Sequence, residues 1–185
     1  MRIAKALKEF DSRKVGSDPW YNLIDRKIDN IDKSSFKWCL DHTRYRPRDI
    51  IFLVNKFLLN LKQGEIVDKI KIKRSFRSYS IGLWTEIQNE LSFYFTYDEL
   101  ENIEKIFKKL HYDFTFGEFQ YQIEELKYNF DPEKLLSILF NSSVIGNHDN
   151  GNYYWKHREG EDPISVDYSK DFIVNIGLKD NFYED

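Results

Sequence analysis

Apolar positions recur along most of this chain with a helical period, and only towards its end do they cluster or alternate as in strands. Ile3, Ala6, Leu7 and Phe10 share one stripe and predict a first helix. A loop through Gly16, Ser17, Asp18 and Pro19 separates it from a helix predicted over 20–28. Ser34 or Ser35 can cap a short helix carrying Phe36, Trp38, Cys39 and Leu40. Pro47 fits the first turn of the most apolar helix, Ile50-Ile51-Phe52-Leu53-Val54 onward, with Gly64 placed as its C′ residue. A basic segment over 67–79 predicts a helix that continues through Leu83, Ile87 and Leu91, with Gly82 a site for a bend.

Punctuation is sharper in the second half. Thr96-Tyr97-Asp98-Glu99 and Thr115-Phe116-Gly117-Glu118 are both capping-box patterns ahead of apolar stripes. Asp131-Pro132 opens a third helix through Leu135, Leu136, Ile138, Leu139 and Phe140. Asn150-Gly151 then joins two β-prone runs, 144–149 and 152–158, the strongest short hairpin signal. A last strand is predicted over Phe172 to Ile176. The fold class expected is mainly α: a basic helical bundle over 1–80, followed over 81–185 by a winged helix of three helices and a β-hairpin wing. No internal repeat or low-complexity tract interrupts this order.

Charge divides the chain at the same place. Residues 1–80 carry 19 Lys and Arg against 10 Asp and Glu, a balance of +9, whereas 81–185 carry 9 against 21, a balance of -12. The split suits two modules with different neighbours, or two that face one another. One cysteine, Cys39, excludes an internal disulfide and fits a reducing cytoplasm. No apolar run reaches the roughly 20 residues that span a bilayer, and the first residues lack a secretory apolar core.

The candidate chemistry is concentrated in His42-Thr43-Arg44-Tyr45-Arg46-Pro47-Arg48-Asp49. Guanidinium groups on a rigid turn can grip phosphate or carboxylate; the bland alternative is local pairing of these arginines with Asp41 and Asp49. Gly146-Asn147-His148-Asp149 resembles one block of the calcineurin-like metallophosphatases, but the further ligand blocks are missing and the tetrapeptide runs into a turn. The histidines at 42, 111, 148 and 157 have no metal-ligand spacing, so no metal site is expected. No G-x-S-x-G elbow, no G-x-x-x-x-G-K-S/T loop and no G-x-G-x-x-G array is present, so no catalytic residue, no cofactor and no autonomous NTPase activity is expected. For nucleic acid, the candidates are Lys71, Lys73, Arg74 and Arg77 on the basic helix and Lys156, His157 and Arg158 on the wing. The predicted recognition helix offers only Lys134 against Asp131 and Glu133, which favours protein docking.

In order, these blocks resemble the C-terminal half of a bacterial family of P-loop ATPases of the AAA-like/STAND-like type, often encoded near phage-defence or mobile elements. The residues concerned are Arg2-Ile3 with Ala6-Leu7, Trp38 to Ile51, Tyr79-Ser80 with Glu86 or Glu90, Pro132 to Gly146, and Phe172 to Leu178. The resemblance implies that 1–80 is a lid-like module in which Arg48 contacts nucleotide phosphates as a sensor-type arginine, with Pro47 shaping the turn and Arg46 a lesser candidate. It also implies that another polypeptide supplies the ATPase core, because this chain has no phosphate loop. The expectation is therefore a non-catalytic, cytoplasmic protein acting through protein contacts, with a winged-helix nucleic-acid-binding regulator as the alternative.

Overall fold

A computed structural model describes residues 20, 24, 34–59, 61–62, 65, 67–156 and 165–183. The helix predicted over the first ten residues, most of that over 20–28, and Gly64 lie outside them. The described part is mainly helical with one small antiparallel sheet. The chain divides into two compact units between Tyr79 and Ser80.

In the first unit, α1 spans Ser35–Asp41 and α2 spans Pro47–Leu58. Ser34 caps α1 by accepting the Lys37 amide, and Ser35 is buried against the Trp20 indole, whose Nε1 donates to Ser35 Oγ at 2.9 Å. Pro47 occupies the start of α2 as predicted. The helix stops at Leu58 rather than reaching Gly64. Burial supplies the reason: Leu53, Val54 and Phe57 form its covered stripe, while Leu59 is exposed, and an apolar run with nothing to pack on does not extend a helix. The chain then turns through Lys62 and Glu65 before α3, Lys69–Leu91. Val67, just ahead of α3, pairs with Ile24 in an isolated parallel bridge.

The basic segment and its apolar continuation are one helix, unbroken at Gly82. Ile72, Phe76, Tyr79, Leu83, Ile87 and Leu91 are all buried and recur at spacings of three or four. Within the first unit, Phe76 packs edge-on against Trp38 and His42, and the Tyr79 hydroxyl donates to the His42 carbonyl.

The second unit follows the predicted order of helices. Its α4 (Tyr97–Lys109) and α5 (Phe116–Glu125) both begin with complete capping boxes, on Thr96/Glu99 and Thr115/Glu118. Asp131 caps α6 (Pro132–Asn141) by accepting the amides of Glu133 and Lys134. Then come β2 (Ile145–Asp149) and β3 (Asn152–Tyr154), joined through Asn150 at φ 49° and Gly151 at φ 81°. Two successive positive φ values make the turn that matches hairpin twist, hence Asn-Gly. β3 is shorter than the predicted run.

Two features went unpredicted. A short strand β1, Asp113–Phe114, sits between α4 and α5, and the closing strand β4, Asp171–Val174, lies between β1 and β2 in the order β1-β4-β2-β3. A 3-10 turn, Ile176–Leu178, and a short α7, Lys179–Phe182, follow β4. Aromatic rings knit this unit together: Trp84 meets Phe182 edge-on, Phe182 stacks on Phe107, and Phe114 stacks on both Phe119 and Phe172.

Candidate functional site

The arginine turn of the first unit is the most constrained polar cluster described. Arg44 is buried, and its Nε donates to Asp49 Oδ2 at 2.9 Å while Nη2 donates to Oδ1 at 3.3 Å. Both side chains of this forked pair are fully covered. The backbone bends at Tyr45, φ 59°, and the Thr43 hydroxyl bridges the bend by donating to the Leu40 carbonyl and accepting the Tyr45 amide. Tyr45 in turn donates to Asp41 and accepts from Lys37.

The sequence left two readings of this turn, arginines that reach an anion or arginines paired locally with Asp41 and Asp49, and for Arg44 the structure shows the second. Arg44 faces inward because Asp49, in the first turn of α2, needs a buried counter-charge. Arg46 is half-buried and Arg48 and Pro47 are exposed. Local pairing thus absorbs Arg44, and the fixed turn places Arg48 at the beginning of α2.

The nucleic-acid candidates are spread over both units. On α3, Lys73, Arg74 and Arg77 are exposed, while Lys71 is partly covered and bridges Glu65 at 2.9 Å. Lys156 is half-buried just after β3, and His157 and Arg158 lie outside the described residues. The outer positions of α6 carry Lys134 beside Glu133, with Asp131 at the cap.

Gly146-Asn147-His148-Asp149 has a structural explanation at every position. A side chain at Gly146 would sit 2.8 Å from the Trp155 ring and from the Tyr154 carbonyl. Asn147 is buried and holds the chain before β4, donating to the Asp167 carbonyl at 2.8 Å and accepting the Asp167 amide at 2.9 Å. His148 stacks on Tyr153 across the hairpin, and Asp149 accepts from Asn150 in the turn. Among the described residues no group of three His, Cys, Asp or Glu side chains is placed to hold a metal. Gly146→Ala is expected to cost about 1–3 kcal/mol, since ring and backbone must both give way. Urea denaturation checks this; an unchanged midpoint would show that Trp155 repacks freely.

Cys39 is a packing residue: burial pushes its thiol up to about 12, away from reactive thiolate character. No helix of the described residues is long and apolar enough to cross a membrane.

One site escaped the sequence reading. A groove of about 380 Å³ runs beside α6 in the second unit, bounded by the turn Phe93-Tyr94-Phe95 and by Phe130, Leu135 and Ile138. Its signal in the sequence was three consecutive aromatics between the end of one helix and the capping box of the next. Their exposure could not be read from the pattern, because aromatic runs usually mark the core.

Against known proteins, residues 1–88 match the family model of the FunZ-associated C-terminal helical domain. The match ends inside α3 and covers slightly under half of the chain. It agrees with the helical character of this part and with likeness to the C-terminal portion of a larger protein; it carries no link to an ATPase. No curated protein and no solved structure matches the chain.

Proposed function

We propose that this is a non-catalytic protein that works by contacting other proteins, its first part similar to the FunZ-associated C-terminal helical domain and its second part a winged helix used for docking. The winged-helix reading rests on the succession α4-β1-α5-α6 followed by strands, with β4 returning to pair β1 at Phe114↔Phe172. The observation that carries docking over duplex binding is the outer side of α6, where a single lysine stands among carboxylates beside an aromatic groove. Duplex affinity rests largely on neutralising phosphates, and this surface is poorly equipped for that.

The partner suggested by the resemblance of the arginine turn is a separately encoded P-loop ATPase core. In that reading Arg48 reaches the nucleotide phosphates, Arg46 assists, and Pro47 with the Arg44–Asp49 pair keeps the turn in shape. The chain alone then hydrolyses no ATP. A second reading, a nucleic-acid-binding regulator, is favoured by the exposed Lys73, Arg74 and Arg77 on α3.

Anisotropy of a labelled DNA duplex with the full chain separates the two, at about 50 mM and about 200 mM salt. Weak binding at both is expected. Tight binding at low salt, reduced about tenfold or more by Lys73→Glu with Arg74→Glu and Arg77→Glu, or by Lys156→Glu with Arg158→Glu, would transfer the function to nucleic acid.

A further inference from the structure

The turn between α3 and α4 holds large rings in water by construction. The amides of Tyr94 and Phe95 both close on the Leu91 carbonyl, at 2.8 and 3.1 Å. Phe95 anchors the turn by meeting Phe130 edge-on, and Phe130 meets Tyr128 in the same way. With the backbone fixed at both ends, Phe93 is left 90 % exposed, Tyr94 65 % and Tyr97 71 %. Single exposed aromatics are ordinary; three within five residues, next to a groove floored by Leu135 and Ile138, form a patch of the kind that partners cover.

The charge around this patch narrows the partner. Glu99 and Asp131 stand at the groove, each using one carboxylate oxygen to cap its helix, Oε2 for Thr96 and Oδ1 for Glu133 and Lys134. The Thr96 hydrogen bonds hold the Glu99 carboxyl below its usual range, so its charge persists. Asp98, Glu101 and Glu133 are exposed on the same two helices, and Lys134 is the single basic side chain lining the groove. Exposed aromatic faces attract cations, and carboxylates beside them reinforce the attraction.

We propose that this groove binds a short segment of a partner protein that carries lysine or arginine next to one large apolar anchor. The anchor fills the space between Phe93 and the Leu135–Ile138 floor, while the cations lie over Tyr94 and Tyr97 and reach the carboxylates. This rests on the reading of the second unit as a docking module and assigns that module's partner chemistry.

The test is selection of random displayed peptides on the immobilised full chain, followed by affinities of the selected peptides for the wild type and for Phe93→Ala with Tyr94→Ala. The exposure of both rings leaves folding intact, which circular dichroism verifies. A second variant, Asp98→Asn with Glu133→Gln, changes charge and leaves the rings in place. Enrichment of peptides pairing Lys or Arg with a large apolar residue, weakened about tenfold or more by the ring variant and measurably by the charge variant, is the expected result. No enrichment, acidic peptides, or peptides indifferent to both variants would overturn the proposal. So would self-association of the chain abolished by Phe93→Ala, which makes a second copy the occupant, or ring-dependent binding of a single-stranded oligonucleotide. Salt-sensitive duplex retention would instead remove the docking reading itself, so the two failures are distinguishable.

Discussion

Arg44→Ala is expected to destabilise the first unit by about 3–5 kcal/mol, because it strands the Asp49 carboxylate in a dry site without its counter-ion. Neither partner of the pair has any side-chain exposure, so the carboxylate has no bulk solvent to compensate the lost guanidinium. The loss is a large part of the roughly 5–15 kcal/mol that keeps a domain folded. Arg44→Lys keeps the charge but loses the two-pronged geometry, and falls between the two. Replacing both partners, Arg44→Met with Asp49→Leu, is expected to be more stable than either single change, since apolar groups of similar volume leave nothing uncompensated. Urea denaturation followed by tryptophan fluorescence reads all four proteins, with Trp20 and Trp38 in this unit as reporters. A shift for Arg44→Ala no larger than that for the exposed Arg48→Ala would show that the pair does not hold the turn. The same comparison bears on the proposed function, because Arg48→Ala is expected to keep the fold while removing the guanidinium that the proposed phosphate contact would use.

Local signals in the chain proved legible where the chemistry is local. Both capping boxes, the Asp131-Pro132 start and the Asn150-Gly151 hairpin are decided by a few adjacent residues, and all four are where the pattern put them. Helix ends were harder. After α5 and α6 the chain reverses through Lys127 at φ 56° and Ser143 at φ 55°, each in a paired closing motif: Tyr128 N–H to the Ile123 carbonyl and Lys127 N–H to that of Glu124, then Val144 to Leu139 and Ser143 to Phe140. These positions favour glycine, and neither residue advertises the turn. Ser143 is held there by the buried Asn175, whose Nδ2 donates to the Ser143 carbonyl from a distant part of the chain.

The site shows the same division. Pro47 fixed where α2 begins, but which of three arginines turns inward depends on the depth of Asp49, a property of packing rather than spacing. Likewise the run Phe93-Tyr94-Phe95 specifies aromatic mass without saying which ring is spent on the core. The edge-on contact of Phe95 with Phe130 decides it, and Phe130 lies beyond two helices in sequence. Such long-range choices are invisible to a reading that moves along the chain.

Phe114→Ala is expected to cost the second unit about 3–5 kcal/mol, the largest effect for an apolar residue there, whereas Phe93→Ala stays within about 0.5 kcal/mol. Phe114 is 2 % exposed and its ring stacks on Phe119 at 5.8 Å and on Phe172 at 5.6 Å, with Phe107 edge-on at 6.3 Å. Removing it opens a cavity among three rings and also deletes the cross-strand pair that fastens β1 to β4. β1 has only two residues, so little else keeps it in the sheet. The Val174 amide, which donates to the Tyr112 carbonyl beside that pair, is therefore expected to exchange with solvent sooner than the amides of α4. Phe114→Leu retains most of the volume and is expected to lose less than about 1.5 kcal/mol. Urea denaturation by circular dichroism supplies the energies and hydrogen exchange the local order. Equal losses for Phe114→Ala and Phe93→Ala would contradict the division of aromatic residues between core and groove on which the proposed docking surface depends.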